Sequence, residues 1–334
     1  MAKRAGARSV VLDSPPALIA SASTVGAKEG EGPLGKYFGS VSEDSYFGEQ
    51  TWEKAESRMI ESTLAQLYKN SRLTPKDIDL AFAGDLLNQC TASSFGLRNS
   101  GIPYFGVYGA CSTMAESLAL AAMSVESGFA GCALAVTSSH FSTAERQFRM
   151  PLEYGGQRPP TAQWTVTGCG AFILSEGEGP RITSVTPGVI TDAGIKDANN
   201  MGAAMAPAAY ETLRTHFSDL GRTPSYYDLI LTGDLGAVGS EILRDLMRKD
   251  GTELGDKYAD CGLLIFDREK QDVHSGGSGC GCSASVLAGY IMDGIKTGRW
   301  KKVLFAATGA LLSPLSTMQG ESVPSICCAV SIEV

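Results

Sequence analysis

The chain has 334 residues, of which 43% are hydrophobic, with a formal net charge of -8 and a pI near 5.1. At this length two domains or one large two-part unit are expected, with enough apolar residues for a core. The acidic balance argues against nucleic-acid binding, which requires a basic stripe that no segment supplies. An odd number of cysteines (nine) without a C-x-x-C motif predicts reduced thiols in a cytosol-like compartment.

The first apolar run of the chain is short. It covers residues 10–12 and is broken by Asp13, Pro15 and Pro16, far short of a signal peptide or a membrane span. We therefore expect a soluble protein without a transmembrane segment.

Two stretches of the first part of the chain recur in the second. Residues 74–86 (TPKDIDLAFAGDL) recur as 223–235 (TPSYYDLILTGDL), and residues 128–140 align with 298–310. The repeats indicate two related α/β halves. The Glu-Gly-Glu-Gly-Pro connector at 176–180 places their boundary near 177, which predicts halves of 1–177 and 178–334.

Helical and strand patterns alternate within each half. Helical periodicity covers 52–69 and 206–220, and the continuous apolar runs are at 133–137, 171–174, 229–232 and 303–307. Such runs are typical of strands covered on both faces. The extra length of the second half is assigned to an added strand pair or loop at 261–273.

Cys111 lies in YGACSTMAES, at the point where an apolar stretch that contains a glycine ends and a helical pattern begins. The unpaired amides of a first helical turn favour a thiolate and can lower a cysteine pKa. The alternative is an inert, buried thiol. If the halves pack about a pseudo-twofold axis, the glycine-rich turn at 276–279 opens a second helix onto the same pocket.

The order of these motifs, with GCGA at 168–171 and GGSG at 276–279, resembles the thiolase and ketoacyl synthase superfamily. The resemblance implies an α/β thiolase-like fold of two pseudo-symmetric halves in five layers, α/β/α/β/α, with Cys111 at the nucleophile position. It also implies a homodimer through the first-half sheet. The second half departs from the superfamily, because it lacks the Gly-His-Pro loop and the C-terminal C-x-G-G-G motif of thiolases.

Only three histidines could replace the missing acid/base set. His140 ends a predicted buried strand at the pocket side and is the better candidate. His216 lies in a polar helical stretch and is expected to be solvated. His274 is near the glycine-rich loop but follows a charged segment.

The stretch after His140 is rich in polar and aromatic residues. Arg146 and Arg149 are three positions apart and could hold a small dicarboxylate, with Phe148 or Tyr154 as a flat wall. An interface loop, whose arginines pair with Glu145 and Glu153, explains the pattern equally well. Two further candidates, Asp85 and Asp234, are interpreted as N-caps of the helices that follow them.

Several longer stretches, including VGAKEGEGPLG at 25–35 and TSSHFSTAERQFRMPLEYGGQ at 137–157, are similar to the stage V sporulation protein AD family of spore-forming bacteria. This resemblance implies a dipicolinic acid-binding component of the spore SpoVA transport system, acting in dipicolinate uptake during sporulation and in release during germination. The protein would associate peripherally with the spore inner membrane through other SpoVA membrane subunits. Dipicolinate would bind alone or with calcium, and we expect no cofactor and no metal site.

The predicted ligand-binding set is Cys111, His140, Arg146, Arg149, Tyr154, Gly277 and Ser278. The alternative function is a thiolase or ketoacyl synthase-type acyltransferase, in which Cys111 is the catalytic nucleophile and His140 or His274 is the base. A third interpretation is an assembly subunit with a vestigial site.

Overall fold

A computed structural model describes residues 2–148 and 157–334. The helices are α1 Ala27–Gly30, α2 Trp52–Ser71, α3 Thr91–Leu97, α4 Thr113–Glu126, α5 Phe141–Phe148, α6 Met201–Leu220, α7 Gly236–Lys249, α8 Cys261–Leu264, α9 Cys280–Val286, α10 Met292–Lys296 and α11 Pro314–Met318. The strands are β1 Lys3–Ala5, β2 Ser9–Val11, β3 Ala17–Gly26, β4 Ser40–Ser42, β5 Leu80–Gly84, β6 Tyr104–Gly106, β7 Cys132–Ser139, β8 Trp164–Thr165, β9 Gly168–Ser175, β10 Arg181–Thr186, β11 Leu229–Thr232, β12 Tyr258–Asp260, β13 Gly277–Ser278, β14 Lys302–Ala310 and β15 Ser325–Glu333.

One large sheet contains the same strand order twice. The first half has the order β3-β9-β7-β5-β6, and the second has β10-β15-β14-β11-β12. In each half the first three strands are antiparallel to their neighbours and the last three run parallel. The halves join where Arg181 of β10 pairs with Ala17 of β3.

The helices form three layers around the two half-sheets. In the middle layer, α4 packs on β5, β7, β14 and β15, and α9 packs on β3, β7 and β9. On the outer faces, α2 and α3 cover the first half, while α6, with α7 against it, covers the second. The apolar face of α4, with Leu118, Ala121 and Ala122, is fully buried, as a helix between two sheets requires. The five-layered thiolase-like fold is confirmed.

The predicted buried strands lie within β7, β9, β11 and β14, and the predicted helices lie within α2 and α6. For residues 261–273 a strand pair or a loop was predicted, and they form the short helix α8 followed by a loop of turns. The predicted boundary at 177 lies between β9 and β10. The N-terminal strand β2 nevertheless pairs with β10 of the second half.

The expectation that His216 is solvated is wrong. Its side chain is fully buried, with Nδ1 2.7 Å from Thr186 Oγ1 and Nε2 2.6 Å from the Tyr227 hydroxyl. Burial lowers the pKa of His216 to about 3, so the ring is neutral. The polar neighbours in the sequence face outward, and His216 lies on the buried face of α6.

None of the helices within residues 2–148 and 157–334 combines the length and apolar character needed to cross a membrane.

Candidate functional site

The turn that carries Cys111 is held by both halves of the molecule. Ala110 has a positive φ of 51°, and Thr113 Oγ1 donates a hydrogen bond to its carbonyl at 2.6 Å. Gly309 of β14 packs so closely that a Cβ there would lie 2.0 Å from the Gly109 carbonyl oxygen. A glycine is therefore required at 309, and the backbone before the thiol is fixed.

Cys111 lies on the wall of a cavity of about 220 Å³ between the two halves. The first half contributes Cys111 and, from α5, Glu145 and Phe148, while the second contributes Ser278. Because α4 begins two residues after Cys111 and α9 two residues after Ser278, two helix starts meet at this cavity.

Behind this wall lies the buried carboxylate of Asp234. It accepts hydrogen bonds from Ser278 Oγ at 2.9 Å, from the Gly279 amide at 2.8 Å and from Thr308 Oγ1 at 3.1 Å. Ser278 Oγ is also 3.8 Å from Cys111 Sγ. Burial raises the pKa of Asp234 to about 6, and these hydrogen bonds oppose the rise.

Asp234 is not the N-cap of the following helix, contrary to the sequence interpretation. The N-cap of α7 is Leu235, without a side-chain cap, and the amides of Leu235 and Gly236 donate to Asp260 instead. Asp85 likewise binds amides of Leu87 and Ser93 and is not an N-cap.

Of the two sequence interpretations of Cys111, the structure favours the inert, buried thiol over the activated thiolate. Burial is the main cause that raises the pKa of Cys111 well above its usual value, and the adjacent charge of Asp234 raises it further. These effects outweigh the amides of the helix start. Cys111 is therefore a neutral thiol at physiological pH.

Arg158 brings a cation to the same cavity, and the sequence did not single it out. Its side chain is 10% exposed, and Nη2 lies 2.9 Å from Asp272 Oδ2. The guanidinium stacks over Trp164, with Cζ 4.6 Å from the ring centroid. Among residues 2–148 and 157–334, its buried Nη1 has no hydrogen-bonding partner.

Gln163 is a second polar residue of the lining that the sequence did not reveal. Its Nε2 donates to the carbonyl oxygens of Asp234 and Gly277, at 2.7 and 2.8 Å. These two acceptors fix the orientation of the amide, and its Oε1 is buried with no partner in the described part of the chain. The surroundings of Arg158 and Gln163 are formed by segments that are distant in the sequence. Neither residue therefore lies in a local motif that could have identified it.

The remaining predicted residues are distributed unevenly. Ser278 and Phe148 line the cavity with Cys111. Gly277 lies behind the wall, where its carbonyl holds Gln163. Arg149 and Tyr154 lie outside the described residues, so their predicted roles stay predictions.

His140 is placed away from the lining. Its Nδ1 accepts a hydrogen bond from the Ser142 amide at 3.2 Å, and Nε2 contacts the Ser45 carbonyl at 2.8 Å. Burial lowers the pKa of His140, so the neutral ring carries its proton on Nε2 and donates to Ser45. With both nitrogens engaged, His140 has no contact with the thiol in this structure.

Arg146 faces another side of α5. It forms an ion pair with Glu53 and stacks over Trp52, and it borders a separate surface groove. For Arg146 the ion pair is thus with α2, while Arg149 and Glu153 of the open alternative lie outside the described residues. His274 pairs with Asp272 at 3.1 Å and is partly exposed.

Within the described ranges, no group of three or more His, Cys, Asp or Glu side chains is arranged to hold a metal ion.

Comparison with solved structures supports the assignment of the fold. 3-Oxoacyl-[acyl-carrier-protein] synthase III from Aquifex aeolicus is similar with a TM-score of 0.59 and 16% identity, covering 96% of this chain and 100% of its own. OleA of Xanthomonas campestris with bound cerulenin is similar with a TM-score of 0.62 and 14% identity, covering 97% and 98%. At these identities the likeness concerns the fold.

Comparison at the sequence level identifies the family. The family model of stage V sporulation protein AD matches residues 6–333. Stage V sporulation protein AD of Bacillus subtilis is 46% identical over 332 residues, which is 99% of this chain and 98% of that protein. The chain therefore belongs to the stage V sporulation protein AD family, a family of sporulation proteins, and has a thiolase-like fold.

Proposed function

We propose that the protein binds dipicolinic acid in the Cys111 cavity, as a component of the SpoVA transport system of the spore. It would act in dipicolinate uptake during sporulation and in its release during germination. Family membership supports the sporulation role, and the chemistry of the cavity supports an anionic ligand.

The observation that carries this proposal is Arg158, the only Lys or Arg among the described residues that line the cavity. A hydrogen bond from a charged donor contributes about 1.5–3 kcal/mol, so a ligand carboxylate held by this guanidinium gains that amount. Carboxylates are the groups that guanidinium binds best. Dipicolinate carries two carboxylates on a flat ring, and Phe148 offers an apolar surface in the same lining.

The partners belong to the proposal as well. The resemblance to the family supports peripheral association with the spore inner membrane through other SpoVA membrane subunits, and the superfamily resemblance supports a homodimer. Calcium could accompany dipicolinate as part of the ligand.

Calorimetric titration with dipicolinate tests the site. We expect Arg158→Met to weaken binding about 10- to 100-fold, because a charge-assisted hydrogen bond contributes about 1.5–3 kcal/mol. Arg146→Met is the matched control, since Arg146 lies on the other side of α5, and it should bind as the unmodified protein does. No saturable heat with the unmodified protein, or full affinity in Arg158→Met, would contradict the proposal.

The acyltransferase alternative has one observation in its favour, namely the position of Cys111 in a fold shared with condensing synthases. Two observations oppose it. The pKa of Cys111 is raised, and in the described part of the chain no histidine lines the cavity. Asp234 is a poor base for this thiol, because its pKa of about 6 lies well below that of Cys111.

A further inference from the structure

The anion-binding cavity has an acidic group directly behind its wall. Asp234 is fully buried, and it is linked to the lining by the hydrogen bond from Ser278 Oγ. The Ser278 hydroxyl and the Cys111 thiol, which also bonds to Asp234, lie between this carboxylate and the cavity.

The hydrogen of Ser278 decides what the wall presents to a ligand. A hydroxyl group has one proton, and with Asp234 ionised that proton points at the carboxylate, at 2.9 Å. Ser278 then offers only lone pairs to the cavity, which repel an anion. If Asp234 is protonated, the hydrogen bond can reverse, and Ser278 can donate its own proton to the ligand.

The other ionisable groups near Asp234 do not balance its charge. Among the described residues, these groups are Cys111 before α4, Asp260 at the end of β12, Cys261 of α8, and Cys280 and Cys282 of α9. Burial, with the charge of Asp234, raises the pKa of Asp260 to about 7. All of these groups are acids. Negative charge that a ligand adds to the cavity must therefore raise the pKa of Asp234 strongly.

The size of this effect can be bounded. A ligand oxygen that contacts Ser278 Oγ lies within about 6 Å of the Asp234 carboxylate, since each hydrogen bond spans about 3 Å. At an effective dielectric constant of about 20, one unit charge at that distance changes an ionisation constant about 100-fold. Asp234 already titrates close to neutrality, with a pKa of about 6, so its protonation on ligand binding is readily reached.

We propose that Asp234 takes up one proton when an anion binds, so that the cavity binds its ligand and a proton together. The inference rests on the proposed anion-binding function and adds its regulation by pH. Binding is tightest below about pH 6, where Asp234 is already protonated. Above that pH the affinity falls, by up to tenfold per pH unit, until the pKa of Asp234 in the complex is reached.

Titration calorimetry with dipicolinate between pH 6 and 8, in two buffers of different ionisation enthalpy, tests the coupling. The ordinary carboxyl pKa near 4 keeps the titration of the ligand itself below this range. We expect Kd to rise about 10- to 100-fold across the range, and uptake of nearly one proton per ligand at pH 7.5. This measurement on the unmodified protein needs no variant.

Asp234→Asn removes the charge while keeping the shape of the side chain. Most of the pH dependence of its affinity and most of the proton uptake should be lost, and its affinity should exceed that of the unmodified protein at pH 8. The remainder is the contribution of Asp260, whose pKa burial raises to about 7. Asp260→Asn is the matched control, because Asp260 is equally buried but bonds to α7 and α8 amides and not to Ser278. It should keep most of the pH dependence.

The outcomes separate the two proposals. No saturable binding at any pH contradicts the proposed function itself. Saturable binding with a constant Kd between pH 6 and 8 and no proton uptake contradicts only the proton coupling. A pH dependence that survives in Asp234→Asn and is lost in Asp260→Asn would show that Asp260, and not Asp234, takes up the proton. That result would overturn the inference.

Discussion

Cys111 illustrates how the surroundings of a residue can reverse the chemistry that its sequence position suggests. A helix start favours a thiolate through unpaired amides. Here the thiol is buried, with the Asp234 carboxylate beside it, and both effects favour the protonated form. Burial and the neighbouring carboxylate thus outweigh the amides of the helix start.

The thiol chemistry can be measured by alkylation with iodoacetamide and peptide mass mapping. We expect Cys111 to react at pH 8 at least tenfold more slowly than a free cysteine, since each increase of one in pKa lowers the thiolate fraction tenfold. Asp234→Asn should speed the reaction, because it removes a negative charge that raises the pKa of Cys111.

Rapid alkylation of Cys111 in the unmodified protein would contradict this account. An acyl adduct after incubation with acyl-CoA, seen by intact mass and absent from Cys111→Ala, would favour the acyltransferase instead.

Part of the site could be predicted from the sequence. Cys111 and Ser278 were both predicted, since each precedes a glycine-marked helix start, and both line the cavity. Arg158 and Gln163 could not be, because their orphan atoms arise from contacts with segments about 70 to 114 residues away. The role of Asp234 was missed because a local cap and a long-range acceptor look alike in a sequence.

At the scale of elements, the predictions succeeded where burial leaves a continuous apolar run. Strands β7, β9, β11 and β14 have such runs, and the glycine-rich turn before α9 was also predicted. The short helix α8 has no such signal, as four residues are too few for a helical period to be distinguished from a strand.

Gly281 explains how α9 approaches the sheet so closely. A Cβ at Gly281 would lie 2.2 Å from the Gly168 carbonyl oxygen. The middle layer is thus in contact with the backbone of β9, and its position sets that of Ser278 at the cavity.

We expect Gly281→Ala to destabilise the protein by about 2 kcal/mol. Overpacking costs about 3 kcal/mol at the upper end of its usual range, and the better helix propensity of alanine offsets about 1 kcal/mol. Urea denaturation followed by circular dichroism measures the change. Gly131→Ala is the control, because its Cβ would approach within 4 Å only one atom, Asp79 Oδ2, at 3.3 Å. Equal losses for both variants would refute the packing argument.

At the scale of the whole molecule, distant parts of the chain close the structure. The amides of Ala7, Arg8 and Ser9 donate to Asp219 at the end of α6, at 2.7, 3.0 and 2.9 Å. The first strands thereby pack on the second half. Hydrogen bonds between residues about 210 positions apart leave no local pattern in the sequence. The sequence therefore predicted the duplication but not the packing of the first strands on the second half.

The expected homodimer depends on which strand edges the whole sheet leaves exposed. In the described part of the chain, β6 ends the first half-sheet, and an exposed strand edge tends to pair with another chain. Phe105 on β6 is 54% exposed, and the nearby Tyr108 is 45% exposed. An apolar side chain on a free edge favours pairing of β6 with β6 of a second copy about a twofold axis.

We therefore expect the protein to be a dimer by sedimentation velocity at micromolar concentration, and Phe105→Glu to be a monomer. In the dimer, the two introduced glutamates would lie close together at the twofold axis, where they repel each other and lose hydration. The substitution should therefore destabilise the dimer more than the folded monomer. Met318→Glu is the control, because Met318 is 78% exposed on α11 in the second half, and it should leave the dimer intact. A monomeric unmodified protein, or a dimer that survives Phe105→Glu, would exclude this edge as the interface.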